Sequence, residues 1–174
     1  KIIVHPRITG NIIGSDTTLC YNMDPEELYP LNSGPAGGNG LYFYQWEQSA
    51  DNVTWASAAG VSTAARYNPQ ALTATMHYHR RVSSGACVDV SSPVTVTILP
   101  LITNNNITAD QTICEGTLFS NLSGSNPVGG AGAGSYGYQW MSSTDNTNWD
   151  PAPGSATSSG YNVTNDSPGT TWYR

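Results

Sequence analysis

"YFYQWEQSADNVTW" runs from Tyr42 to Trp55, and "YGYQWMSSTDNTNW" runs from Tyr136 to Trp149. Both carry Tyr-x-Tyr-Gln-Trp, then a serine, then Asp-Asn, then a second tryptophan, at identical spacing. In the first copy Tyr42, Tyr44 and Trp46 alternate with Leu41, Phe43 and Gln45, so the two sets point to opposite faces of a strand. Large side chains on both faces predict a central strand covered on both sides. Asp51-Asn52 and Asp145-Asn146 then supply turn chemistry, because short polar side chains satisfy nearby backbone groups and Asn tolerates a left-handed conformation.

The match extends in both directions at an offset of 94 residues, read without a gap. Asp16 meets Asp110, Cys20 meets Cys114, and Gly38 and Gly40 meet Gly132 and Gly134. Tyr67-Asn68 meets Tyr161-Asn162, and Arg80 meets Arg174. A fixed period of this kind is the signature of a tandem array. At the same offset "KIIVHPRI" (1–8) falls on "TVTILPLI" (95–102). The expected organisation is a closing strand of a preceding module at 1–8, a complete module at 9–102, and a second module at 103–174 that lacks its last strands.

Of the 174 residues 10% are charged, against roughly 25% in an ordinary soluble domain. The formal net charge is −6 and Lys1 is the one lysine, so no basic surface is available for phosphates, and nucleic acid is excluded as a partner. An anionic membrane surface is disfavoured for the same reason, and no run approaches the roughly 20 apolar residues that span a bilayer. Apolar content is 38%, with five Trp and ten Tyr. A core therefore forms only if those aromatic side chains go inside.

Strand signals dominate: Lys1–Val4, Leu41–Glu47, Met76–Val82 and Val94–Leu99 alternate or are rich in β-branched and aromatic residues. "DPEEL" (24–28) is the one stretch fit for a helical turn. Short strands with turn signals every 8–12 residues predict an all-β protein of tandem immunoglobulin-like β-sandwich modules. Cys20 and Cys87 stand near opposite ends of one module, and the offset sends the mate of Cys114 to a position past Arg174. A Cys20–Cys87 disulfide is the expectation, with a stabilisation of roughly 4 kcal/mol from loop closure and an oxidising, extracellular location.

"DQTICEG…YGYQWMSSTDNTNW…YNVT…TTWYR" and "YHRRVSSGACVDVSSPVTVTILP" resemble the Ig-like repeats of giant Bacteroidota surface adhesins that the type IX system secretes, gliding-motility adhesins among them. The resemblance covers nearly the whole chain. It implies an immunoglobulin-like sandwich at the cell surface and an adhesive or spacer role in a filamentous protein. One departure stands out: Trp46 follows Cys20 by 26 residues, against about a dozen in antibody-type domains. The expected bridge therefore belongs at one end of the sandwich.

Other constellations have blander readings. His77 and His79 share a strand face, but no Cys/His/carboxylate set at ligand spacing accompanies them, so packing histidines are preferred to a metal site. Asp16/Asp110 and Asp51/Asp145 recur, which makes calcium the candidate cation, yet without an Asp-x-Asp-x-Asp loop turn capping is preferred. Glu26-Glu27 sits in a turn, and no Gly-x-Ser-x-Gly elbow or recurring Ser/His/Asp set exists, so no enzyme and no cofactor is expected. Asn52, Asn106, Asn121, Asn162 and Asn165 each begin Asn-x-Ser/Thr, and Asp16-Thr17-Thr18 loosely matches an Asp-Ser/Thr glycosylation motif of Bacteroidota surface proteins. The recurring Trp46, Trp55, Trp140 and Trp149, with Tyr44 and Tyr138, read as core anchors. Were they exposed, they would make a carbohydrate-binding module that stacks surface glycans. The expected partners are neighbouring modules of the same protein, including head-to-tail self-assembly through residues 1–8 and the open edge of the second module.

Overall fold

The computed structural model describes residues 1–108, 110–163 and 168–174; among them strands, bridges and turns are the only regular structure, and the protein is all-β. The chain divides into two units, Lys1–Leu101 and Ile102–Arg174.

The first unit contains β1 (Thr17–Cys20), β2 (Phe43–Ser49), β3 (Ala56–Ser57), β4 (Met76–Ser84), β5 (Cys87–Val90) and β6 (Val94–Leu99). They join in one sheet, ordered β1-β6-β4-β2-β3, with β5 also beside β4. β2 runs antiparallel to β4 with Trp46 opposite Arg80 and Gln48 opposite Tyr78. β6 is antiparallel to β4 and parallel to β1. Outside this sheet, isolated bridges join Ile13 to Pro30, Met23 to Leu72 and Leu28 to Tyr67.

Burial follows the two-residue period of strands. Val94, Val96 and Ile98 of β6 are buried while the residues between them are half-buried. With Trp46, Tyr67, Tyr78, Ile13, Leu28 and Ala58 they form the core, against which Leu19, Leu72 and Met76 pack. The chain before Thr9 is held close by glycine: the Gly38 amide donates to the Pro6 carbonyl at 2.8 Å. A Cβ on Gly37, which has φ +91°, would stand 2.2 Å from the Arg7 carbonyl oxygen. No other residue fits there.

The second unit contains β7 (Leu122–Ser123), β8 (Met141–Ser143), β9 (Asp150–Pro151), β10 (Gly160–Tyr161) and β11 (Trp172–Tyr173). β10 pairs with β7, and a three-stranded sheet is ordered β11-β8-β9. Leu122, Trp140, Ala152, Ala156 and Tyr161 form its core, with Val163 and Tyr173 packed against them.

Five expectations need correction. β2 is covered on its second face only toward its end: Trp46 on the core face is fully buried, whereas on the other face Phe43 is 69% exposed and Ser49 is buried. Residues 1–4 form no strand. The 24–28 segment is not helical, because Leu28 pairs its backbone with Tyr67 instead.

The fourth correction is the cysteine bridge. Cys20 and Cys87 are free thiols, as is Cys114. Cys87 opens the edge that β5 and β6 form along β4, and Cys20 faces Leu99 at its far end. Twelve residues of extended chain separate those ends by about 35–40 Å. A disulfide needs Cα atoms within about 7 Å. Cys87 instead donates its thiol to the Pro6 carbonyl at 3.7 Å.

The ungapped offset also fails near the end. β4 sets Tyr78 opposite Gln48, whereas β11 sets Tyr173, not Trp172, opposite Ser142. Tyr67 meets Tyr78 at 5.5 Å, and Tyr161 meets Tyr173 at 5.5 Å. One extra residue therefore lies between Tyr161 and Tyr173, and Arg174 takes the place of His79, not of Arg80.

Candidate functional site

Each unit is built on one tryptophan. The Trp46 indole N–H donates to the Ala64 carbonyl at 3.0 Å, and that of Trp140 to the Ser158 carbonyl at 2.9 Å. Each ring lies against a tyrosine, Trp46 on Tyr67 and Trp140 on Tyr161, with centroids 5.8 Å apart in both. The tyrosine hydroxyls donate at 2.9 Å to Ala59 and Pro153 carbonyls. A buried indole and phenol thus keep their polar atoms bonded while filling the core. Trp46 and Trp140 stand where core anchors were expected. Tyr44 and Tyr138 are half-buried at its margin.

Trp55 and Trp149 occupy another place. His79 points away from Tyr78, to the outer face of the sheet, where its Nε2 lies 2.5 Å from a Glu47 carboxylate oxygen. The Trp55 ring lies on the His79 ring with centroids 3.7 Å apart and 18° between planes. In the second unit the Arg174 guanidinium sits 4.2 Å from the Trp149 centroid. These half-buried tryptophans close the outer face over a nitrogen-bearing side chain, and are not members of the core clusters. His77 bonds Thr95 Oγ1 at 3.0 Å through Nδ1.

The turn between the two tryptophans is held by a carboxylate. Asp51 Oδ1 accepts the Thr54 amide at 2.7 Å, the Val53 amide at 2.9 Å and the Ser49 hydroxyl at 2.8 Å. Asp145 Oδ1 accepts the Asn148 and Thr147 amides at 2.8 Å each and the Ser143 hydroxyl at 3.0 Å. The Thr54 amide above all, then that of Val53 and the Ser49 hydroxyl, holds the Asp51 carboxyl well below its ordinary range. The Asn148 backbone and side-chain amides, then the Thr147 amide, do so for Asp145. Asn52 and Asn146 follow at φ 58° and 56°, left-handed positions that explain the Asp-Asn pair. Asp16 accepts the Thr95 amide at 2.8 Å, tying β1 to β6. Among the described residues no group of three His, Cys, Asp or Glu could hold a metal ion.

Arg80 is the buried charge that sequence reasoning missed, having placed it only as a repeat mate. It is fully buried. Its Nε donates to Asn11 Oδ1 at 3.0 Å and Nη1 to the Ala65 carbonyl at 2.7 Å. The Asn11 side-chain amide donates to the Arg80 carbonyl at 2.9 Å. The guanidinium carbon stands 5.2 Å from the Tyr44 centroid and 5.7 Å from that of Trp46. Ring faces thus stand in for a carboxylate. Nη2 is buried without a hydrogen-bond partner, and burial lowers the group's pKa. The signal was the phase of β4, in which Tyr78, Arg80 and Val82 share one face.

Glu27 pairs with Arg66 at 2.9 Å, both well exposed, which is a solvated ion pair. The sequon residues Asn52, Asn106, Asn121 and Asn162 are exposed, and Asn165 lies outside the described residues. Two cavities stand out. One of ≈ 350 Å³ is bounded by residues 11–16 and 92–94. The other, ≈ 670 Å³, lies in the second unit between residues 107–119 and β11.

Two segments of the chain, residues 9–100 and 103–174, match one family, described as a domain of unknown function (DUF8696). No curated protein matches the chain.

Proposed function

We propose that this chain, which belongs to the family of domains of unknown function DUF8696, is a non-catalytic structural repeat. It is two immunoglobulin-like β-sandwich modules in tandem, with a 94-residue repeat, in the adhesive or spacer stalk of a large extracellular surface protein. The observation that carries this reading is how the repeated residues are used. Trp46/Trp140, Tyr67/Tyr161 and Asp51/Asp145 make the same hydrogen bonds in both units, all of them to their own scaffold. What recurs is the means of standing up, not a site. The β6-β4-β2 adjacency supports the sandwich, matching the G-F-C order of immunoglobulin sheets. So do Ile13, Leu28 and Tyr67, which pack on that sheet from the bridged segments outside it. The acidic, Ser/Thr/Asn-rich composition and the resemblance to type IX-exported Bacteroidota adhesins support the surface location.

Single-molecule pulling tests the reading. A stalk of independent modules unfolds in discrete steps, each releasing about 300 Å of chain for a repeat near 94 residues. Extension without force peaks would overturn it. A carbohydrate-binding module is the second reading, favoured by Trp172, 37% exposed on the ≈ 670 Å³ cavity. Reproducible low-micromolar binding on a glycan array, abolished by Trp172→Ala, would move the assignment there.

A further inference from the structure

Asn39-Gly40 is the one Asn-Gly pair in the sequence. It stands in the turn that leads into β2, and both residues are exposed. In the repeat register the second unit has Ala133 before Gly134, so the pair is not part of the common scaffold.

The Asn39 side chain is held by its carbonyl oxygen. The Asn39 amide donates to Ser84 Oγ at 2.9 Å, and the Ser84 hydroxyl donates back to Asn39 Oδ1 at 2.8 Å. The Leu41 amide donates to the same Oδ1 at 3.0 Å. This is an Asx turn, which folds the side chain over the peptide bond to Gly40. Ser84 is fully buried, so the direction of its hydroxyl is fixed. The remaining polar atoms of the pair are unengaged. Among the described residues nothing accepts a hydrogen bond from the Gly40 amide or from Asn39 Nδ2. Gly40, at φ +88°, also sets no side chain against its own nitrogen. A nucleophile, a leaving group and a carbonyl oxygen with two donors therefore meet within two residues.

We propose that Asn39 is a self-modification site at which the folded first unit promotes loss of the side-chain amide. The Gly40 nitrogen gives its proton to a solvent base and bonds to Asn39 Cγ. Negative charge then develops on Oδ1, where the Ser84 hydroxyl and the Leu41 amide are already placed to receive it. The Cγ–Nδ2 bond breaks, Nδ2 leaves as ammonia, and a five-membered imide remains. Water opens that ring at either carbonyl, which leaves an aspartyl or an isoaspartyl residue at position 39. Either product carries one more negative charge, and the isoaspartyl form adds one atom to the backbone. The change falls between Gly38, whose amide holds the Pro6 carbonyl, and β2. It is slow, irreversible and confined to the first unit, whatever the array binds.

The test incubates the full chain in mildly alkaline buffer and follows every asparagine by peptide mass mapping, with isoaspartate read by enzymatic methylation. The comparator is the synthetic peptide GGNGLYF, which has the same Asn-Gly pair without Ser84. Asn39 in the folded chain should convert roughly tenfold faster than in the peptide, and Ser84→Ala, which removes one of the two donors, should bring the rate back toward the peptide's. Asn32, whose Oδ1 accepts only the Gly34 amide at 3.2 Å, should stay intact over the same time. Conversion no faster in the folded chain than in the peptide overturns the proposal, and this comparison stands even if Ser84→Ala does not fold. So does a folded Ser84→Ala chain that converts at the wild-type rate, which would leave the chemistry to the Asn-Gly pair alone.

Discussion

The Arg174 guanidinium lies 4.2 Å above the Trp149 ring, where the His79 imidazole lies 3.7 Å from that of Trp55. The two residues are unrelated by the ungapped repeat, yet they do the same work: each gives the second tryptophan of the motif a flat, nitrogen-bearing surface. The repeated aromatic sentence thus has two clauses. Its first tryptophan builds the core, and its second closes the opposite face of the sheet.

The two tryptophans should therefore differ in energetic weight. Trp46→Ala empties a fully buried site and is expected to cost about 3–5 kcal/mol. Trp55→Ala removes a half-buried stack and should cost about 1–2 kcal/mol. Urea unfolding followed by far-UV circular dichroism measures both. Equal losses would contradict the division of roles.

Much of this architecture was legible in the sequence because it rests on local rules. Period-two alternation located β6 to the residue, and β2 and β4 closely. The Asp-Asn pair marked the turn because its carboxylate caps amides two and three residues on. What escaped depends on relations between distant segments. The Cys20–Cys87 bridge failed because which edge of the sheet a strand joins, and in which direction, is not written in cysteine spacing. Phe43 was assigned a covered face because alternation shows that two faces exist, not what lies over each. The one-residue shift before Tyr173 escaped because Arg80 and Arg174 matched by type, while position in the pleat pairs His79 with Arg174. Arg80 itself was hidden by its charge, and only its phase in β4 pointed inward.

Acid should unfold the protein partly through its turns. The Asp51 and Asp145 carboxyls are held well below their ordinary value of 3.8 by amide and hydroxyl donors. In the unfolded chain those carboxyls take up protons at that ordinary value while the folded ones do not. The stability they contribute is thus fully present at neutral pH and is lost progressively as pH falls from about 5 toward 2. Asp51→Asn/Asp145→Asn should be less stable at pH 7 and show a flatter dependence in this window. Midpoints of thermal unfolding from pH 7 to 2.5 check this, and a slope as steep as the wild type's would refute it.

Removing Arg80 should expose how its burial is supported. Arg80→Ala leaves Asn11 Oδ1 and the Ala65 carbonyl without their donors and opens a cavity beside Tyr44 and Trp46. A loss of about 2–4 kcal/mol is expected. Arg80→Met keeps the stem without a buried charge and should lose less. Chemical denaturation of the three proteins side by side gives the order, and Met proving worse than Ala would show that the guanidinium, not the stem, carries the site.

The thiols supply the last test. Cys20 and Cys114 are exposed and Cys87 is half-buried beside the Pro6 carbonyl. All three should titrate with a thiol reagent in the folded protein without prior reduction, Cys87 the slowest because reagent must displace that contact. Reductant should leave the unfolding midpoint where it was, and Cys20→Ser/Cys87→Ser should shift stability by no more than about 1 kcal/mol, since neither side chain lies in a core cluster. A bridge closing so long a loop would instead have cost roughly 4 kcal/mol on removal. Finding only one reactive thiol, with Cys20 and Cys87 joined in the mass map, would require β1 to leave the Leu99 end of β6, and with it the strand order of the first unit.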